Sequence, residues 1–388
     1  MDDILKTIEG LTPNLIALRH DLHAHPELGF EEHRTAERVA EWLIRHGIEV
    51  RTGVAQTGVV GTLHGEQGEG ACVAFRADMD ALPIEEQNDL PYRSRHEGKM
   101  HACGHDGHTT ILLGAAAVLA QYRHRLRGAV RFFFQPSEEN VSGARVMLEE
   151  GVLVEMPPSW VIALHGKPSL PLGSIGVRAG AMMASADTFD IWLEGKGGHA
   201  ALPHLSDDPV LAGAHLVQAL HGIVGREFSQ SNPVVLSVTQ FHAGNAYNVL
   251  PQEAHLAGTV RCLREETRRY MAQRMREMVE AEARIWHVQS RFEWHAGAPV
   301  TVNAPAVAER IAQVAEQAFG RERVVWLEEP LMGAEDFAYF AQAVPSAMFF
   351  LGLGDVADLH TACFDFPDAV IAPGVEMFVR LAIGENEA

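Results

Sequence analysis

Within nine residues the chain carries three histidines, a cysteine and an aspartate: Met100-His101-Ala102-Cys103-Gly104-His105-Asp106-Gly107-His108. Thiolate and neutral imidazole are first-choice ligands for zinc and similar divalent metals, and carboxylates complete the set. The two glycines let the backbone turn tightly enough to aim neighbouring side chains at one point. An apolar run from Thr109 to Leu119 predicts a helix directly afterwards. The partial positive charge of its N-terminus would favour thiolate at Cys103. The plainer alternative is a polar loop with one buried cysteine and surface histidines.

Further donor-type residues follow apolar runs elsewhere. Asp78 and Asp80 come after Ala71–Phe75, Glu138 and Glu139 after Ala129–Phe134, His165 after Trp160–Leu164, and His360 after Ala347–Leu351. In open α/β sheets, sites form beyond the carboxyl ends of the strands, so these residues could meet at one rim. Cys103, His105, Glu139, His165 and His360 are the candidate ligands. Two metals roughly 3.5–4 Å apart need about five to seven donors, a count that these side chains and a bridging water fill. Adjacent carboxylates in an extended turn point in different directions, which suits Glu139 as a ligand and Glu138 as a general base facing the activated water. Asp80 is placed to orient a ligand histidine. Asp78 could be a ligand itself, orient a ligand histidine, or cap a turn.

The elements that must position these groups are legible as periodicity. Residues 1 to about 50 read as helical, with a break at Pro13 and a second helix over Thr35–His46 closed by Gly47. Strands then alternate with helices to about residue 181, which predicts an α/β fold with a largely parallel sheet flanked by helices. From about 182 to 296 the strands alternate polar and apolar residues, as in Thr188–Glu194, and two helices separate them. This texture predicts a smaller inserted α+β domain with one wet sheet face. The α/β texture resumes over 297–388, with helices at Pro305–Phe319, Glu335–Ala343 and Pro373–Leu381. The catalytic domain is therefore expected to be discontinuous, 1–181 and 297–388.

Composition narrows the function classes. The chain has 388 residues, 47% hydrophobic and 21% charged, with a formal net charge of -20. Two domains are the prior at this length. So acidic a chain argues against nucleic acid as a partner. The four cysteines, Cys72, Cys103, Cys262 and Cys363, are scattered and form no disulfide framework, which fits a reducing compartment. No signal peptide or apolar stretch near the roughly 20 residues of a membrane span is visible. A cytoplasmic protein is expected.

Asp78-Met-Asp-Ala-Leu-Pro83, the His101–His108 segment, Pro136-Ser-Glu-Glu139, Leu164-His165 and Leu359-His360 occur in this order, and together they resemble the di-metal amidohydrolases that include aminoacylases, hippurate hydrolases and plant auxin-conjugate hydrolases. His25-Pro-Glu-Leu-Gly-Phe-Glu-Glu32 and Gly333-Ala-Glu-Asp-Phe337 match too, so the resemblance covers nearly the whole chain. It implies a catalytic domain interrupted by a ferredoxin-like satellite that commonly mediates dimerisation. It also implies two divalent ions (zinc, manganese, cobalt or nickel) held by the five candidate ligands, with Cys103 bridging and Glu138 as base. In the insertion it implies that His199 polarises the scissile carbonyl and that Asn248 and Arg261 help bind substrate. A guanidinium grips a free carboxylate through two parallel hydrogen bonds. The run His165-Gly166-Lys167-Pro168 lacks the tryptophan the family usually has between that histidine and proline, which leaves the acyl preference open.

The expected activity is metal-dependent hydrolysis of the amide bond of N-acyl amino acids, hippurate-like or N-acetylated, with a homodimer as the working form. A dipeptidase or carboxypeptidase of the same build is the alternative enzyme. A metal-binding protein without catalysis is the alternative of a different class.

Overall fold

The computed structural model describes residues 1–384. Contacts divide the chain into two compact units. The first comprises Met1–Met182, Val302–Glu329 and Asp336–Ala388; the second comprises Met183–Thr301 and Pro330–Glu335.

The first unit opens with helices α1 (Asp2–His23) and α2 (His33–Arg45). Strands β1 (Glu49–Val54), β2 (Gly58–His64) and β3 (Cys72–Asp78) follow, then helix α3 (His105–Gln121), β4 (Ala129–Gln135), α4 (Gly143–Glu149), β5 (Val161–Pro168) and β6 (Ile175–Val177). The short strand β7 (Gly180–Met183) leads into the second unit, which holds β8 (Asp187–Glu194), β9 (Gly198–His199), α5 (Pro209–Glu227), β10 (Val234–Ala243), β11 (Val249–Leu250), β12 (Glu253–Cys262), α6 (Glu265–Ile285) and β13 (Gln289–Ala296). After β14 (Thr301–Asn303) come α7 (Pro305–Phe319), β15 (Val324–Trp326), α8 (Ala338–Ala343), β16 (Ser346–Gly354) and α9 (Ile371–Gly384).

The large sheet runs β1-β2-β4-β3-β5-β16-β6-β15. Its centre, β4-β3-β5-β16, is parallel throughout, whereas β1, β2 and the β16–β6 pair are antiparallel. The antiparallel β1–β2 hairpin was not visible as alternation in the sequence, because β2 is buried on both faces. Central strands are covered on both sides, which is why they read as unbroken apolar runs. On β4, Phe132 and Phe134 join the main core, while Phe133 stacks on Phe340 of α8 at 5.6 Å between ring centroids. The chain steps from β3 to one neighbour, β4, and then across to the other, β5. That reversal makes the carboxyl end of β3 a topological switch point, where α/β sheets place their sites.

Three expected boundaries need correction. Helix α1 does not break at Pro13 but runs through it. Pro13 is exposed, so the carbonyl it leaves without a donor can be solvated, and Ile4, Ile8, Leu15 and Leu22 stay buried on one face. Helix α3 begins at His105, not Thr109, and its residues from His105 to Ala120 are all buried. Gly104 caps it at φ 92°, a left-handed conformation glycine adopts without strain. Likewise α8 starts at Ala338 rather than Glu335, because the Asp336 side chain is drawn into a buried network described below.

In the second unit, β8, β10, β12 and β13 form an antiparallel sheet in the order β10-β12-β8-β13. With α5 and α6 the succession is βαββαβ, a ferredoxin-like arrangement. Phe189, Ile191 and Leu193 face a core shared with both helices, while Asp190 and Trp192 lie on the other, wetter face.

Candidate metal centre

Four separate segments deliver the candidate donors of the first unit to the carboxyl edge of the parallel strands. Cys103 and His105 flank the start of α3, Glu138 and Glu139 lie in the turn after β4, and His165 sits within β5 rather than beyond it. His360 follows β16, with φ 61° and its N–H donated to the Ala102 carbonyl at 2.7 Å. One ligand atom from each of Cys103, His105 and His165 lies within 4.8 Å of the others, and the same holds for Cys103, Glu139 and His360. Cys103 belongs to both groups. Its sulfur is 3.5 Å from His165 Nε2, and Glu139 Oε1 is 3.3 Å from His360 Nε2 and 3.9 Å from His105 Nε2.

The imidazoles are presented with lone pairs inward. His105 Nδ1 donates to the Asp80 carbonyl at 2.8 Å and lies 3.2 Å from its carboxylate; His165 Nδ1 donates to the Gly166 carbonyl at 2.8 Å. Each acceptor fixes the proton on Nδ1 and turns Nε2 toward the cluster, the arrangement that metal-ligating histidines use. His105 Nε2 and Glu139 Oε1 are buried and make no hydrogen bond. Unpaired buried polar atoms are rare and costly, and a divalent cation among these N, O and S donors would satisfy both. The residues present therefore fit divalent metal.

The field around the site also favours positive charge. Burial opposes ionisation of His105, but Asp78, Asp80 and Glu139 together raise it to about 10. Burial and the neighbouring His108 hold His165 well below the usual histidine range, in its neutral, ligating form. Cys103 overturns the expectation drawn from the helix N-terminus. Burial, followed by Glu139, Glu138 and Asp78, pushes its thiol well above the usual range. A fully buried sulfur among carboxylates gains little from a helix end, and a cation is what would release its proton.

A family model described as Peptidase family M20/M25/M40 matches residues 74–383. The chain belongs to that family. It is 38% identical to the N-acetylcysteine deacetylase of Bacillus subtilis over 95% of this chain and 96% of that one. It is 37% identical to the hippurate hydrolase of Campylobacter jejuni over 98% and 99% of the two chains. A solved structure of a Bacillus subtilis protein, described as a dinuclear metal-binding peptidase of the M20 family, superposes with a TM-score of 0.87 at 34% identity, covering 98% of this chain and 99% of that one. Members of the M20 family are hydrolases that act on amide bonds of acyl amino acids and peptides.

In this M20-family chain the second unit holds the remaining sequence candidates. His199 is exposed and ends the short strand β9, which pairs with β11 so that Val249 faces His199. The Ala200 N–H donates to the Asn248 carbonyl at 3.1 Å, so His199 and Asn248 are neighbours. The Ala201 N–H donates to His199 Nδ1 at 3.0 Å, leaving Nε2 to carry the proton of the neutral ring. Arg261 stands apart from this pair, on β12 opposite Val235. Its half-burial lowers the guanidinium's affinity for its proton, and Asp187 offsets part of that.

Several structural partners were not singled out from sequence. His108 donates from Nδ1 to Asp78 at 2.7 Å and accepts the Gly166 N–H on Nε2 at 2.8 Å, bracing the strand beside His165. Asp78, given open options above, is held between His108 and Arg76, whose Nη1 donates to it at 2.7 Å. Burial resists its charge, yet His105, His108 and Arg76 hold its carboxyl well below the usual range. Arg76 also donates to Gln135 at 2.8 Å and Asp336 at 3.1 Å, and Asp336 accepts from Gln135 and from the Ala144 N–H. The sequence did carry a hint: a charged residue in the middle of an apolar strand, Arg76, is rarely buried without a partner.

Proposed function

We propose that this chain is a metal-dependent amidohydrolase that cleaves N-acyl amino acids to a carboxylate and a free amino acid. The observation that carries the reading is the membership of Cys103 in both donor groups, which suits a bridging thiolate between two divalent cations. His105 and His165 complete one group, Glu139 and His360 the other. The similarity to a deacetylase and a hippurate hydrolase supports the same substrate class. A cysteine with three histidines suits zinc, with manganese, cobalt and nickel as the other candidates.

When bound, such cations polarise a carbonyl oxygen and lower the pKa of water toward about 7. The chain's own residues would do the rest. Glu138 is 7% exposed, with Oε2 3.9 Å from His105 Nε2, beside the donor cluster. It would take a proton from the attacking water and return it to the departing amine as the C–N bond breaks and the new C–O bond forms. His199 would donate from Nε2 to the developing oxyanion, Asn248 would help bind the substrate, and Arg261 would grip a free carboxylate. Asp80 would keep His105 in its ligating tautomer.

The second unit is proposed to build a homodimer. Strand β10 lies at the edge of its sheet, and an open edge is a template for pairing with another chain. Sedimentation should report two chains; a fully active single chain would count against this. The four cysteines are free, which suits a reducing, cytoplasmic setting. The activity is tested with a panel of N-acetyl, N-benzoyl and dipeptide substrates on metal-reconstituted protein, scored by released amine. Cleavage of acyl amino acids is the expected result, whereas turnover of peptides alone would replace the reading with a carboxypeptidase or dipeptidase.

A further inference from the structure

We infer that Glu32 is a positioning residue for Glu138, acting through the backbone of Ser137; this rests on Glu138 being the general base. Glu32 is fully buried at the start of α2, 105 residues before the turn it serves. Its Oε1 accepts the Ser137 N–H at 2.8 Å, and its Oε2 accepts the Thr57 hydroxyl at 2.5 Å. No cation pairs with it among the described residues. Burial raises its carboxyl to about 7 against these hydrogen bonds.

Ser137 explains what so awkward a group does. It has φ 51°, in the left-handed region that a side-chain-bearing residue enters only against steric strain. Val141, four residues on, has φ 56°. Glu138, Glu139 and Asn140 are therefore carried on a tight turn bracketed by two left-handed residues. Such a turn persists only where its surroundings over-determine it. Here the amides on either side of Glu138 are both held by buried carboxylates: Ser137 by Glu32, and Glu139 by Asp80 Oδ2 at 3.0 Å. The Asp80 clamp also touches the candidate ligand His105, whereas the Glu32 clamp touches no metal-type donor. Glu139 keeps its own hold from Asp80 when Glu32 is removed, so the effect falls first on the direction of Glu138.

The segment around Glu32 packs onto the same turn. A methyl group added at Gly29 would lie 2.5 Å from Asn140 Nδ2 and 2.6 Å from Ser137 Oγ, atoms that are themselves hydrogen-bonded at 3.2 Å. Two residues of His25–Glu32, a stretch the metal site left without a role, thus pack on or hold the turn that carries the general base.

The test compares Glu32→Ala, Glu32→Gln and Glu138→Gln as metal-loaded protein, reading kcat, KM and bound metal. Misplacing a catalytic group by about 1 Å can cost about 100-fold, so Glu32→Ala is expected to lose roughly 10- to 100-fold in kcat, with KM and metal content unchanged. Glu32→Gln keeps an acceptor for the Ser137 N–H and should recover most of that loss. Should Glu32→Ala not fold, Gly29→Ala presses on the same turn without removing the carboxylate and should also lower kcat at constant metal content. The inference is overturned if kcat is unchanged in the folded variant, or falls only in step with lost metal. If Glu138→Gln is itself fully active, the general-base reading fails first; if Glu138→Gln is inactive and Glu32→Ala is not impaired, only the present inference fails.

Discussion

Asp80 grips His105 twice, through its carbonyl at 2.8 Å and its carboxylate at 3.2 Å from Nδ1, and with its other carboxylate oxygen it holds the backbone of Glu139. One residue thus orients two candidate ligands that arrive from different elements. Asp80→Ala leaves one carbonyl contact to His105 and none to Glu139. Supporting partners of this kind are worth about 10- to 100-fold in metal affinity. Competition against a chelator should show a loss of that size, and an unchanged affinity would remove Asp80 from the role.

Behind the site, His23 is buried between Asp106, 2.9 Å from Nδ1, and Glu86, 3.2 Å from Nε2. Burial alone would lower its pKa, but these two carboxylates outweigh it and raise it to about 9 from an ordinary 6.5. Because the folded value is the higher one, the stabilisation is fully present below about 6.5 and is lost as pH rises toward 9. The size is about 3 kcal/mol from the shift. Denaturant unfolding of the wild type should weaken across that window, and His23→Gln should flatten the profile. An equal slope in both proteins would contradict the assignment.

The candidate donors could be picked out from the sequence because their signal is local: Cys103 and His105 flank the start of a helix, and Glu139, His165 and His360 stand in or after strands. Their supports were not. Glu32 meets Ser137 across 105 residues, Gln135 meets Asp336 across 201, and Arg76 meets Asp336 across 260. No periodicity or motif spacing encodes pairings of that range. The helix start was misjudged for a related reason. His105 and Asp106 look like loop residues by polarity, yet both are buried in the first turn of α3 because the cluster and the Arg19–His23 pair supply their partners.

Asp336 tests the buried frame. Arg76, Asp78 and Asp336 are all fully buried, and removing one partner from such a network typically costs about 3–5 kcal/mol. Asp336→Ala should lose stability on that scale in urea unfolding. A loss below about 1 kcal/mol would show that the network relaxes around the gap.

His199 is proposed as the donor to the oxyanion, and removal of one such donor costs about 100- to 1,000-fold in kcat. His199→Ala should show that loss with bound metal intact. A purely KM effect would place His199 in substrate binding instead.

The most direct test of the whole account is Glu138→Gln, assayed side by side for amine release and bound metal. The account predicts that turnover disappears while two divalent ions per chain remain. Retained turnover, or loss of metal together with activity, would contradict the separation of base from ligands on which it stands.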